Sequence, residues 1–204
     1  MTNDCEIDRV GEALSARTQR LIKEVFASFV FSAANVYNMI LIIAYGNNLR
    51  EDDGAGLLLA ERLATIWHDH DAPVRHLAVQ QLAPELAADI AGEDVTAVVF
   101  VDTRLSPSSA DLGVGVVPLE PIGEQSPSMG HHFQPGLLLA YAQTLFAVDP
   151  LPPAWLVTVP GVAFGYGERI SEDTQMAIQS AFDCEDHPLQ MLIKALTTLQ
   201  ASHR

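Results

Sequence analysis

Apolar runs alternate with segments of helical periodicity along most of the chain. Continuous apolar runs are typical of strands buried on both faces of a parallel sheet, and shorter alternating segments add further strand candidates. The predicted strands cover residues 40–45, 74–79, 96–101, 114–119 and 155–159. The predicted helices cover residues 56–68, 84–91, 135–146 or 136–146, 171–181 and 188–200. This alternation predicts an α/β fold: a three-layer sandwich around a mainly parallel sheet.

The first 38 residues differ from the rest of the chain, and the compact domain is predicted over residues 39–204. Apolar residues of the first segment fall at helical spacing: Val10, Leu14, Leu21, Val25 and Phe29. This spacing predicts an amphipathic extension packed on the domain. The sequence also allows the segment to be an added or mispredicted leader.

The chain is strongly acidic, with 26 Asp and Glu residues against 11 Lys and Arg residues, and a net charge of −15. No Lys or Arg lies between Arg104 and Arg169, so the C-terminal half has no local basic patch. A polyanion would be repelled, which argues against nucleic acid as a partner. The acidity instead fits a metal cation, a basic peptide or simple solubility.

Residues 25–45 carry no charge over about the length of a bilayer span. Ser and Asn residues interrupt this stretch, and its second half is typical of a strand, so no membrane span is expected. A secretory signal around residues 20–34 is a second interpretation. Only Cys5 and Cys184 are present, which fits a reducing compartment, and we expect a cytoplasmic protein.

Polar side chains follow the apolar strands at the edge where parallel sheets usually hold their functional groups. Three acidic residues (51–53) follow the first strand, Asp102 follows the third, and His131 and His132 precede a helix. Two carboxylates and an imidazole in one crevice would bind a divalent metal such as nickel, zinc or manganese.

Each candidate also has a purely structural interpretation. Asp53, or equally Asp52, could be the N-cap of the following helix. Asp102 could begin a turn, and His131 and His132 could be ordinary loop residues. The sequence alone leaves these alternatives open.

The segment GNNLREDDGAG, residues 46–56, resembles the first loop of the hydrogenase maturation endopeptidases, whose pattern is GNxLxxD[DE]GxG after an apolar strand. The matching residues are Gly46, Asn47, Leu49, Asp52, Asp53, Gly54 and Gly56. The segments VVFVDTR, MGHHFQPGLLLAYA and LVTVPGVAFGYGERISEDTQMAI follow in the family's order. The resemblance covers Met39 to about Gln200, although Asn48 stands where Pro or an apolar residue is usual and residues 161–168 match only loosely.

The resemblance implies a twisted five-stranded sheet between helices, and an endopeptidase that removes the C-terminal extension of a [NiFe] hydrogenase large-subunit precursor once nickel is inserted. It also implies that Asp53, Asp102 and His131 contact this nickel. His131 fits the family's spacing to Phe133 and Pro135 better, and His132 remains an alternative. The nickel would be carried by the substrate, and another divalent metal could replace it in the free enzyme.

No serine or cysteine nucleophile is evident, so attack by a metal-bound water, or by water on a metal-polarised carbonyl, is the expected chemistry. Asp52 and Asp102 are the candidates for the group that activates the water. One alternative function is a nickel-checking, chaperone-like protein that binds the large subunit without cutting it. Another is an unrelated α/β domain in which Asp53 caps a helix and the histidines are incidental.

Overall fold

The computed structural model describes residues 38–106, 113–122 and 133–201. Its strands are β1 (Met39–Tyr45), β2 (Val74–Val79), β3 (Val95–Leu105), β4 (Gly115–Leu119) and β5 (Ala154–Gly161). Its α-helices are α1 (Ala55–Asp69), α2 (Leu86–Ile90), α3 (Pro135–Leu145), α4 (Glu172–Asp183) and α5 (Pro188–Ala201). A short 3-10 helix, Glu51–Gly54, precedes α1. None of the described helices is long and apolar enough to cross a membrane.

The five strands form one sheet in the order β2-β1-β3-β5-β4. All neighbouring pairs are parallel except β4 and β5, which are antiparallel. The chain passes from β1 to β2 on one side and then returns to β3 on the other side of β1. The strand order therefore reverses between β1 and β3, the position where open α/β sheets usually bind ligands.

Helices cover both faces of the sheet, because successive strand residues point to opposite faces. On one face, Ile40, Ile42 and Ala44 of β1 belong to a core that includes residues of α1, α4 and α5. On the other face, Leu41 and Ile43 belong to a core that includes residues of α2 and α3. The predicted three-layer, mainly parallel α/β fold is therefore confirmed.

The third strand is longer than predicted, because it continues beyond Asp102 to Leu105. The extra residues pair with the end of β5, where Asp102 is level with Thr158 and Leu105 with Gly161. On its other side β3 pairs with no strand of the described residues beyond Val101, since its last pair with β1 joins Val101 to Ala44. Asp102 therefore lies where β1 ends but β3 continues, and does not end the strand.

The predicted extension over residues 1–38 lies outside the described residues, apart from Asn38. It stays a prediction, as does the boundary between it and the domain.

Candidate functional site

The loop after β1 folds back on itself and thereby places Asp53. Gly46 has a φ of 149°, and a side chain there would collide with the carbonyl oxygen of Asp53. The Asn47 amide donates a hydrogen bond of 2.9 Å to Asp53 Oδ2, and Asn47 Oδ1 accepts one of 2.9 Å from the Leu49 amide. The Gly-Asn pair of the motif is therefore explained by the turn that orients Asp53.

The structure does not support the interpretation of Asp53 or Asp52 as a helix cap. The N-cap position of α1 is Gly54, a residue with no side chain that could cap the helix. The amide of Gly56, in the first turn of the helix, donates instead to Thr103 Oγ1 at 2.9 Å. The carboxylate of Asp53 is bonded to Asn47 in the preceding turn, so it is not needed to begin α1.

Asp52 is fully buried and has a structural role. Its carboxylate accepts hydrogen bonds of 2.7 to 3.0 Å from the amides of Val162, Ala163 and Ser171 and from the hydroxyls of Ser171 and Thr174. Burial alone would raise the pKa of this carboxyl, but the donors outweigh it and the pKa is lowered. A carboxylate with five donors has little capacity left to accept a proton from water, so Asp52 does not fit the water-activating role.

Asp102 lies on the opposite face of the sheet from this cluster. Val98 and Phe100 of β3 belong to the core with α2 and α3, and alternation along the strand gives Asp102 the same direction. Tyr45, at the end of β1, packs against the same core. Asp102 Oδ1 accepts a 2.7 Å bond from the Thr103 amide, and its carboxyl is also hydrogen-bonded to the Tyr45 hydroxyl.

The surroundings of Asp102 disfavour the ionised form of its carboxyl group. Burial raises its pKa to about 6, and the negative charge of Asp53 adds to the increase, while the bonds from Tyr45 and Thr103 oppose it. Burial also raises the pKa of Tyr45, with a further contribution from Asp102, so the phenol stays protonated as a donor. A cation between Asp53 and Asp102 would relieve both the repulsion and the incomplete solvation, which is what a metal-recognition site requires.

Gly56 allows α1 to approach this site closely. A Cβ at this position would lie 3.0 Å from the carbonyl carbon of Asp102 and 3.2 Å from its Cα. The glycine therefore brings the start of α1 against β3 beside Asp102, which explains the last position of the loop motif.

The third predicted ligand, His131, and its alternative His132 lie outside the described residues. The helix that follows them, α3, begins at Pro135 and covers the same face of the sheet as Asp102. Among the described residues, no group of three His, Cys, Asp or Glu side chains forms a metal site. The structure thus places the charge of Asp53 near enough to act on the pKa of Asp102, while the three-residue ligand set of Asp53, Asp102 and His131 stays a prediction.

Two contributors to the site were missed from the sequence. Tyr45 had no motif to reveal it, and only the alignment of β1 with β3 shows that it meets Asp102. The sequence marks residues 161–168 only as a loose match to the family and gives no role to the loop after β5, residues 162–171. In the structure this loop supplies four of the five donors to Asp52, and Thr174 supplies the fifth.

No protein-family model matches the sequence, and no curated protein is significantly similar to it. Solved structures do match. The [NiFe] hydrogenase maturation protease HycI from Thermococcus kodakarensis KOD1 is 19% identical, with a TM-score of 0.54 over 85% of this chain and 98% of that one. The hydrogenase maturating endopeptidase HybD from E. coli is 20% identical, with a TM-score of 0.49 over 78% of this chain and 91% of that one. The chain therefore has the fold of HycI, and the family resemblance carried by its first loop is confirmed at the level of the fold.

Proposed function

We propose that this protein is an endopeptidase that removes the C-terminal extension of a [NiFe] hydrogenase large-subunit precursor after nickel has been inserted. The observation that carries the proposal is that Asp53 and Asp102 both lie at the carboxyl edge of the sheet, with the charge of Asp53 contributing to the raised pKa of Asp102. Two further observations support it. The loop motif of residues 46–56 resembles that of the maturation endopeptidases, and the fold is that of HycI.

Asp53, Asp102 and His131 are proposed to bind the nickel of the precursor, which makes the metal part of the substrate. Two carboxylates and one imidazole give an O,O,N donor set that suits a divalent first-row metal and leaves coordination positions for ligands from the precursor. Asn47 orients Asp53, and Tyr45 with the Thr103 amide orients Asp102. Recognition would then depend on nickel, because without it the two carboxylates repel each other.

The scissile peptide would be held beside the nickel, and a water molecule would attack its carbonyl carbon. We assign activation of this water to Asp102. One oxygen of this carboxylate would bind the nickel, and the other would take a proton from the water and pass it to the nitrogen of the broken peptide bond. The pKa of about 6 applies to the site without metal, because a bound cation lowers the pKa of its ligand. Asp52 is not a candidate, because five donors already occupy its carboxylate.

The test is to incubate nickel-loaded precursor with wild-type protein and with the variants D53N and D102N, and to follow the precursor mass. Wild type should remove a C-terminal peptide, and both variants should fail to do so. D69N is the matched control, since Asp69 is exposed at the far end of α1. Cleavage by D53N and D102N at the wild-type rate would contradict the assignment.

The same assay separates the peptidase from the alternative of a nickel-checking binder. Tight binding of nickel-loaded precursor with no change in its mass would favour the binder. Neither binding nor mass loss would favour an unrelated α/β domain.

A further inference from the structure

The loops after β1 and β5 expose apolar side chains at the same edge of the sheet as Asp53 and Asp102. The exposed fractions are 55% for Leu49, 39% for Val162 and 96% for Tyr166. We call these three residues the apolar rim. Tyr166 is almost fully exposed in the loop after β5, and tyrosine is enriched where proteins contact other proteins.

The backbone that carries the apolar rim is held in place by hydrogen bonds between the two loops. The Gly167 amide donates to the Leu49 carbonyl at 3.0 Å, and the Glu51 amide donates to the Gly167 carbonyl at 2.7 Å. Glu51 Oε2 accepts a 2.8 Å bond from the Gly165 amide. The backbone beneath the rim is therefore already ordered before a partner binds, which lowers the conformational entropy lost on binding.

An acidic groove adjoins the rim. It is open, with a volume of about 450 Å³, and its lining includes three acidic residues and one basic residue: Glu51, Glu172, Asp173 and Arg169. Residues 46–54 and 162–173 together contain six acidic and two basic residues. One of these bases, Arg169, lies 3.9 Å from Glu172, and the other, Arg50, donates to the Phe164 carbonyl at 3.1 Å. The groove therefore favours a cationic partner.

We infer that the apolar rim and the acidic groove dock the C-terminal segment of the precursor polypeptide. An apolar side chain of that segment packs on Leu49 and Tyr166, and a basic side chain pairs with Glu51, Glu172 or Asp173. The inference rests on the proposed function. The groove lies at the start of α4 and the Asp102 side chain on the other face of the sheet, so a segment cut beside Asp102 would reach the groove by crossing the edge that carries the rim. The rim is continuous with the loop that carries Asp53, and the charge of the groove selects a basic segment.

The test compares Y166S and L49S with M176S in the cleavage of nickel-loaded large-subunit precursor. Met176 is the control because it is a similarly exposed apolar residue, 59% exposed, on α4. Y166S and L49S should each raise KM by about tenfold with kcat unchanged, the size expected for a central contact residue. M176S should leave both constants unchanged, and thermal melting of all three variants should match that of wild type.

The acidic groove predicts a salt effect in the same assay. The KM of wild type should rise with NaCl concentration, and the double variant E172Q/D173N should have a higher KM with a weaker salt dependence. The double variant E185Q/D186N, at exposed positions after α4, is the charge-matched control and should behave as wild type.

The outcomes separate this inference from the proposed function. Cleavage by wild type together with an unchanged KM in Y166S, L49S and E172Q/D173N overturns the docking surface and leaves the peptidase intact. Failure of wild type to cleave nickel-loaded precursor overturns both.

Discussion

Asp52 and Asp102 both lie at the carboxyl edge of one sheet, yet their surroundings shift their pKa values in opposite directions. Asp52 lies on the side of α4, fully buried, with five hydrogen-bond donors and a lowered pKa. Asp102 lies on the side of α3 with a hydrogen bond from Thr103 and one from Tyr45, and its pKa is raised to about 6. The surroundings of Asp52 satisfy the charged form, whereas those of Asp102 oppose it.

The difference separates a structural carboxylate from the one that we propose to be functional. A satisfied charge stabilises the fold and has little capacity left for chemistry. A carboxyl that is desolvated and close to another carboxylate is held at a cost in stability, which is typical of catalytic and metal-binding positions. Asp53 is adjacent in sequence to Asp52, but its charge acts on Asp102, whose pKa it helps to raise.

The largest expected effect is on processing, and it should separate the two carboxyls. D102N should slow removal of the C-terminal extension by at least about 100-fold, because loss of a ligand should cost no less than loss of a residue that supports one. D52N, assayed at a temperature where circular dichroism shows it folded, should keep a rate well above that of D102N. Equal processing rates for D102N and wild type would contradict the functional role that we propose for Asp102.

The next largest effect is on stability. D52N replaces an acceptor oxygen by an NH₂ donor among five donors, which leaves buried amides or hydroxyls without a partner. We expect the free energy of unfolding to fall by about 2–4 kcal/mol, measured by urea denaturation. The change S171A removes one donor to Asp52 together with the side-chain N-cap of α4, which accepts from the Thr174 amide at 3.4 Å. It should still cost less, because the other donors to Asp52 keep their acceptor. A D52N variant as stable as wild type would show that the bonded cluster contributes nothing.

The D102N substitution should change the free energy of unfolding in the opposite direction from D52N. At pH 7 it removes a desolvated charge that also repels Asp53, so the free energy of unfolding should rise by on the order of 1 kcal/mol. A stabilised but inactive variant is the signature of a functional residue held under strain. A clear loss of stability in D102N would instead assign this carboxylate a structural role.

The smallest effect is the pH dependence of these stability differences. Asp102 has a folded pKa of about 6, above its ordinary value of 3.8, so its penalty is full above pH 6 and disappears as the pH falls toward 3.8. The advantage of D102N over wild type should therefore shrink across that window. Asp52 has a lowered pKa, so its stabilisation persists there and is lost only as the pH falls below 3.8. Urea denaturation at pH 7, 5 and 3.5 measures both trends, and a shared window would contradict the assigned shifts.

Most of the fold could be predicted from the sequence, because the strands and helices differ strongly in apolar periodicity. The length of β3 was missed, since the pairing of Asp102 to Leu105 with β5 depends on a strand more than fifty residues later in the chain. Periodicity detects burial within a segment, and it does not detect how far two distant segments stay paired.

The candidate site could be predicted only in part. The motif indicated an acidic pair, but not that Asp52 is held in a bonded cluster while the charge of Asp53 acts on Asp102. That distinction depends on contacts to Val162 and Ser171, which lie 110 and 119 positions away in the chain. Tyr45 was missed for the same reason, because its partner becomes a neighbour only when β1 pairs with β3.

The most direct test of the central claim is mass spectrometry of the large-subunit precursor after incubation with wild-type protein, once with nickel inserted and once without. We expect a C-terminal peptide to be lost from the nickel-containing precursor alone, because Asp53 and Asp102 are proposed to bind its metal. Equal cleavage of both forms would contradict metal recognition, and cleavage of neither would contradict the peptidase.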